Sequence, residues 1–347
     1  MKRITRNRTT FDLLHAVDRF AREKGLPIRE PTTVETAFGA LRSQFAAGQR
    51  NDILFHGHRV QTLFAYVASA LGGCRLIKTE DVGELYSSIE TLRMPDFRVV
   101  THDGRQMMVE VKNCHIADPN DPYEVKPEYL SGLRSYAATF DAELFIAIYW
   151  SRIKQWTLLA ANEFDPGSSV SMREALVRNR MYLLGDCMVA TLPLLVLRLV
   201  NSPSYGHPTD KEGRYLFCAQ TVQLYCGTNL ITDPTEQRIA WFLMNNGRWS
   251  VTETPAEFDG PRLTAVSFVL TPPERANPGE KFEIVGSLSE LVSRQFDGAT
   301  TQEGEITSIA PHAEPSDFGV VIPEGFRGTA LRLWQFEIHP REGEVSS

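Results

Sequence analysis

The chain is poor in the features that would place it in several large functional classes. Its five cysteines, Cys74, Cys114, Cys187, Cys218 and Cys226, are odd in number and scattered. They offer neither a disulfide framework nor the paired spacing of a zinc site. Cys114 adjoins His115, but neighbours on an extended chain point to opposite sides and do not share a metal. Buried, reduced thiols are therefore expected, and with them a cytoplasmic location. No apolar stretch is long enough to span a bilayer. The longest, Met188 to Val200, contains Pro193 and Arg198 and reads as one or two buried strands. Met1 to Arg8 is basic and polar with no small-residue cleavage site after an apolar stretch, so no signal peptide is expected. Internal repeats, a Gly-rich phosphate loop of Walker type and a nucleophile elbow are also lacking.

Positive charge is scarce as well. The net charge is −7 over 347 residues. From Leu270 onward six basic residues face thirteen acids, which accounts for the whole −7 and leaves the first 269 residues neutral. Such a chain is not a general polyanion binder, although a local basic groove can still contact nucleic acid. The acidic C-terminal region offers a surface for a protein partner.

What the sequence does contain is Pro95 to Lys112, PDFRVVTHDGRQMMVEVK. Alternation places Glu110 and Lys112 on one face of a strand, with Val109 and Val111 on the other. His102, Asp103 and Gly104 suit a three-residue hairpin loop closed by a left-handed glycine, which pairs Thr101 with Arg105. Counting back sets Val99 opposite Met107, Phe97 opposite Val109 and Asp96 opposite Glu110. A two-residue turn would slip the register and turn Asp96 to the wrong face. Two carboxylates that close repel each other unless a cation lies between them. Oxygen ligands favour Mg2+ or Mn2+ over zinc. A divalent metal beside an amine is what phosphodiester hydrolysis requires.

Pro95-Asp96, thirteen intervening residues and then Glu110-Val111-Lys112 resembles the PD-(D/E)XK nuclease superfamily. The resemblance covers roughly Phe55 to Phe164. It implies an α/β fold with a restriction-endonuclease-like core: a helix, a three-stranded antiparallel meander, a second helix and a further strand. It also implies Asp96, Glu110 and Lys112 as catalytic residues. Asp96, Glu110 and the Val111 backbone carbonyl would be the metal ligands. Many members carry a glutamate on the first helix, where this chain offers Gln61; Glu90, between helix and hairpin, is the best-placed replacement, with Glu80, Asp81 and Glu84 nearby.

The flanks follow the same order. Val60, Leu63, Phe64, Val67 and Leu71 predict a helix from His58 that Gly72-Gly73 stops. Pro127 opens a second helix through Leu130, Leu133, Ala137 and Phe140. Leu144 to Trp150 and Trp156 to Ala160 read as strands. Asn113 adjoins the motif, and Lys126, Arg134, Arg152 and Lys154 are candidates for phosphate contacts.

Three segments are expected: residues 1–50 as an N-terminal helical segment, 51–165 as the nuclease domain, and 166–347 as a mixed α/β accessory domain for sensing, oligomerisation or DNA binding. In the last, helices are expected at Ser171 to Leu183, Asp233 to Met244 and Ser287 to Phe296. The functional expectation is a Mg2+- or Mn2+-dependent endonuclease acting on DNA, as a restriction or anti-phage effector and, by analogy, a homodimer. The alternatives are a catalytically silent nuclease-fold protein that binds nucleic acid or a partner, and a repair or recombination nuclease.

Overall fold

Helix α1 (Thr9–Lys24) ends at Gly25, whose φ of 64° few other residues adopt at low cost. Helix α2 (Pro31–Gln49) follows and runs on through Gly48. Asn51 caps helix α3 (Asp52–Leu71) by accepting the Leu54 N–H at 3.2 Å, and Gly72, left-handed at φ 85°, ends it. In this computed structural model the described residues are 1, 9–49, 51–80, 85–89, 91–164, 169–273, 281–320, 322–323 and 325–340.

Strands β1 (Cys74–Thr79), β2 (Phe97–Thr101) and β3 (Gln106–Cys114) form an antiparallel meander. A short strand β4 (Pro122–Glu124) leads into helix α4 (Pro127–Ala138), which opens on Pro127 as expected. That helix carries the chain over to β5 (Glu143–Trp150), parallel to β3, and β6 (Gln155–Ala160) then turns back antiparallel. The sheet order is β1-β2-β3-β5-β6. Its two faces are buried separately. Val60, Leu63, Phe64 and Val67 of α3 join Phe97, Val99, Met107 and Val109 in one core, whereas Leu130 and Leu133 of α4 join Met108, Leu144, Ile146 and Ile148 in another. Burial on both faces explains why β5 reads as an unbroken apolar run.

Beyond β6, strand β7 (Ser169–Ser171) pairs with β4. The helix expected from Ser171 to Leu183 is broken into α5 (Met172–Val177) and a 3-10 turn at Met181–Leu184. Asn179 lies at the break. Its side chain accepts from Leu158 N–H at 3.0 Å and donates to the Trp156 carbonyl at 3.3 Å, exchanging helical bonds for bonds to β6. The Met188–Val200 run forms two strands, β8 (Met188–Thr191) and β9 (Leu195–Asn201). Next come β10 (Ala219–Cys226), β11 (Asn229–Ile231), α6 (Pro234–Asn246), β12 (Ser250–Glu253), β13 (Ala256–Asp259) and β14 (Arg262–Thr271). Strands β9 to β14 make a six-stranded antiparallel sheet with β9 beside β14. The chain continues through β15 (Glu283–Ser287), α7 (Leu288–Thr300), the small hairpin β16 (Thr301–Gln302) and β17 (Glu305–Ile306), and β18 (Leu333–Phe336). A three-stranded sheet of order β15-β8-β18 is thereby closed.

Helix α7 ties this C-terminal region to the first sheet. Trp156 Nε1 on β6 donates to Ser293 Oγ at 3.0 Å, and Tyr66 on α3 packs edge-on against Phe296 and Phe318 at ring distances of 5.5 and 5.1 Å. One apolar cluster consequently runs from Val60 to Leu333 across the 165 position. All five cysteines are free and, except for Cys218, buried; burial pushes the Cys74 thiol up to about 12. No helix among the described residues is long and apolar enough to cross a membrane.

Asp186 caps α7 from outside it, accepting Ser289 N–H at 2.9 Å and Ser289 O–H at 2.6 Å. Burial nevertheless raises its carboxyl from 3.8 to about 6, outweighing the Ser289 hydrogen bonds. The folded protein thus binds a proton that the unfolded chain releases between those pH values, and this group's contribution to stability falls as pH rises from about 4 to about 6. Asp186→Asn is expected to flatten that part of the stability curve in urea titrations. An unchanged slope would refute the assignment.

Candidate active site

The hairpin has the register that its loop length dictates. Phe97 pairs with Val109, Val99 with Met107 and Val100 with Gln106. Thr101 N–H donates to Arg105 O at 3.1 Å, Gly104 N–H to Thr101 O at 3.1 Å, and Gly104 has φ 89°. Thr101–Arg105, Val99–Met107 and Phe97–Val109 are then the pairs that exchange both backbone bonds, and the next would be Pro95 with Val111. Proline has no N–H to give. The ladder stops there, and Val111 N–H donates to Asp96 Oδ2 at 2.7 Å in place of the Pro95 carbonyl. Within a strand the N–H and C=O of one residue point to the same side, so the Val111 carbonyl also faces the Asp96 side of β3, opposite a proline that cannot donate to it.

Asp96 is held from three directions. Gln61 on α3 donates its amide to Oδ1 at 2.6 Å, Val111 takes Oδ2, and the Asp96 carbonyl accepts Glu80 N–H at 2.9 Å. Glu80 is buried, and its own carboxylate receives Lys78 at 2.9 Å, Arg98 at 3.1 Å and Tyr136 O–H at 2.8 Å. Burial alone would push the Glu80 carboxyl up, but those hydrogen bonds and charges hold it below its ordinary value. It is a neutralised anchor for the Asp96 backbone.

Glu110 is 3 % exposed. Oε1 accepts Lys112 Nζ at 2.6 Å and Tyr129 O–H at 2.6 Å, whereas Oε2 is buried with no hydrogen-bond partner. The Lys112 amine also lies 4.5 Å from the centre of the Tyr129 ring. Burial, followed by the charge of Glu110, its hydrogen bond and the charge of Asp96, drives the Tyr129 phenol far above its usual range. The phenol therefore stays protonated and donates. A buried carboxylate oxygen left without a donor costs free energy unless a cation completes its shell. The oxygen-only set of Glu110, Asp96 and the Val111 carbonyl fits a hard divalent ion. No cluster of three or more His, Cys, Asp or Glu converges among the described residues, so the protein would supply two carboxylates and a carbonyl, with the rest of the shell left to water or substrate.

No protein-family model matches the chain, and no curated protein sequence matches it either. Among solved structures it is similar to Hjc, a Holliday junction resolvase from the archaeal hyperthermophile Archaeoglobus fulgidus. Identity is 15%, covering 26% of this chain and 74% of that one, with a TM-score of 0.21. At that score the two backbones share too little of their course for one to inform the other.

The remaining candidates are dispersed. Glu90 lies outside the described residues, as do Asp81 and Glu84. Asn113 leaves Oδ1 buried without a partner, while its Nδ2 meets His115 Nε2 at 3.2 Å; His115 Nδ1 contacts Ser151 at 2.7 Å. Arg134 donates to the Ala161 carbonyl at 2.7 Å, and Lys154 pairs with Asp297. Lys126 and Arg152 are exposed. Tyr129 escaped sequence reasoning, although its position two residues after Pro127 could have placed it near the first turn of α4.

Gln61→Glu would set a carboxylate against Asp96. In EDTA the variant is expected to lose about 1–3 kcal/mol of stability through like-charge contact, and magnesium should recover more of that loss than it adds to the native protein. Equal magnesium responses of the two proteins in thermal melts would count against a cation at this position.

Proposed function

We propose that the protein is a divalent-metal-dependent endonuclease that hydrolyses phosphodiester bonds in DNA. The observation that carries this reading is the buried, unpartnered Oε2 of Glu110, beside the lysine that shares its other oxygen. Asp96, Glu110 and the Val111 carbonyl would hold Mg2+ or Mn2+, which when bound supplies positive charge against the phosphate. Lys112 would orient the attacking water or neutralise a phosphate oxygen, and Tyr129 holds both the lysine and Glu110 in place. The helix–meander–helix–strand order and the parallel β3–β5 pair support a restriction-endonuclease-like core in residues 51–165, with 1–50 and 166–347 as accessory parts. A restriction or anti-phage role, and a dimer to cut both strands, belong to the same proposal.

The silent-scaffold reading has one observation in its favour. Both Asp96 oxygens and Oε1 of Glu110 already accept internal donors. Cleavage of linear and branched duplex DNA in magnesium or manganese decides between the two. Product that disappears on chelation, and falls at least about 100-fold in Lys112→Ala with DNA binding unchanged, is the expected result. Tight binding without product from any substrate, with either metal, would favour the scaffold. Undiminished cutting by Lys112→Ala would refute the role given to the lysine.

A further inference from the structure

A second cluster of charge lies away from the hairpin, where α3, the β5–β6 turn, the end of α6 and α7 meet around a cleft of about 480 Å³. That volume is within the usual range for small-molecule sites. Arg59, Lys154, Asn245, Arg294, Asp297 and Thr301 line it. Three cations against one carboxylate is a positive balance in a chain whose net charge is −7. Arg59 is 7 % exposed and anchored by Asp297 at 2.8 Å and Thr300 at 2.7 Å, yet its Nε is buried without a partner. Lys154 pairs with the same Asp297 and sits at φ 56°, a left-handed conformation that costs a lysine free energy and that glycine would adopt more easily. Arg294 shares Glu290 with Arg248, at 3.0 and 2.5 Å respectively. Asp297 thus neutralises Arg59 and Lys154 together, as a bound anion would.

We infer that this cleft binds a small phosphate-bearing anion. Guanidinium groups from two separate elements, together with an ammonium, match a ligand carrying more than one negative charge, because planar forks take phosphate oxygens in pairs. The ligand would add to the Asp297 cluster through Arg294, Arg59 and Lys154. The inference does not depend on the hairpin's chemistry.

Calorimetric titration of the full chain with pyrophosphate at low ionic strength is the test. Saturable binding is expected, weakened about tenfold or more by Arg294→Ala and by Lys154→Ala, the loss of a charge-assisted bond in each case. Asp297→Asn removes the internal competitor and is expected to tighten binding by about threefold or more, which a purely structural aspartate would not do. Circular dichroism confirms that each variant is folded. No saturable binding, or affinity unmoved by Arg294→Ala and Lys154→Ala together, would overturn the proposal. So would a result in which these variants lose duplex DNA binding while pyrophosphate affinity stays unchanged, since the cleft would then belong to a DNA surface.

Discussion

The hydrogen bond from Val111 N–H to the Asp96 carboxylate organises the site. It occurs where the β2–β3 ladder would have continued with the Pro95 carbonyl as acceptor. A side chain takes over from the backbone at that point, and the consequences are geometric. Asp96 is drawn to the edge of β3, the Val111 carbonyl is left facing the same gap, and Glu110, one residue back on the strand, stands beside it. Hydrogen bonds to an ionised acceptor are worth about 1.5–3 kcal/mol, enough to fix the carboxylate without metal. The donor that the proline lacks leaves the Val111 carbonyl, not the Val111 N–H, without a ladder partner.

Around that bond the protein divides two kinds of buried acid. Glu80 is surrounded by Lys78, Arg98 and Tyr136 and is held ionised as a structural anchor. Glu110 has donors on one oxygen only. The two residues differ in how completely the protein satisfies them. A fully paired carboxylate stabilises a fold, whereas a half-paired one keeps a position open at a cost in stability. Helix α7 supports the arrangement from behind, because Trp156, Tyr66 and Arg59 all meet it, which makes the C-terminal region part of the packing that holds α3 and hence Gln61.

Much of the hairpin was legible in the sequence because strand period and loop length leave a single register. His102-Asp103-Gly104 could only be a three-residue loop if Asp96 was to face Glu110, and Pro127 marked the first turn of α4 through its fixed φ. Local signals failed where tertiary bonds compete with them. Asn179 gives up helix to bond β6. Arg134 and Lys154 each hold an internal partner, one of them 143 residues away in sequence. No local pattern could have paired Lys154 with Asp297 or brought Tyr129 to Glu110, since both depend on how helices settle on the finished sheet.

We propose that Glu110 and Asp96 share a divalent cation. Anomalous diffraction from crystals soaked in manganese tests it most directly. A single strong peak within coordination distance of Glu110 Oε2, Asp96 and the Val111 carbonyl, absent from Glu110→Gln crystals, is the predicted result. Manganese bound elsewhere, or no peak at this position in crystals that bind the ion, would contradict it.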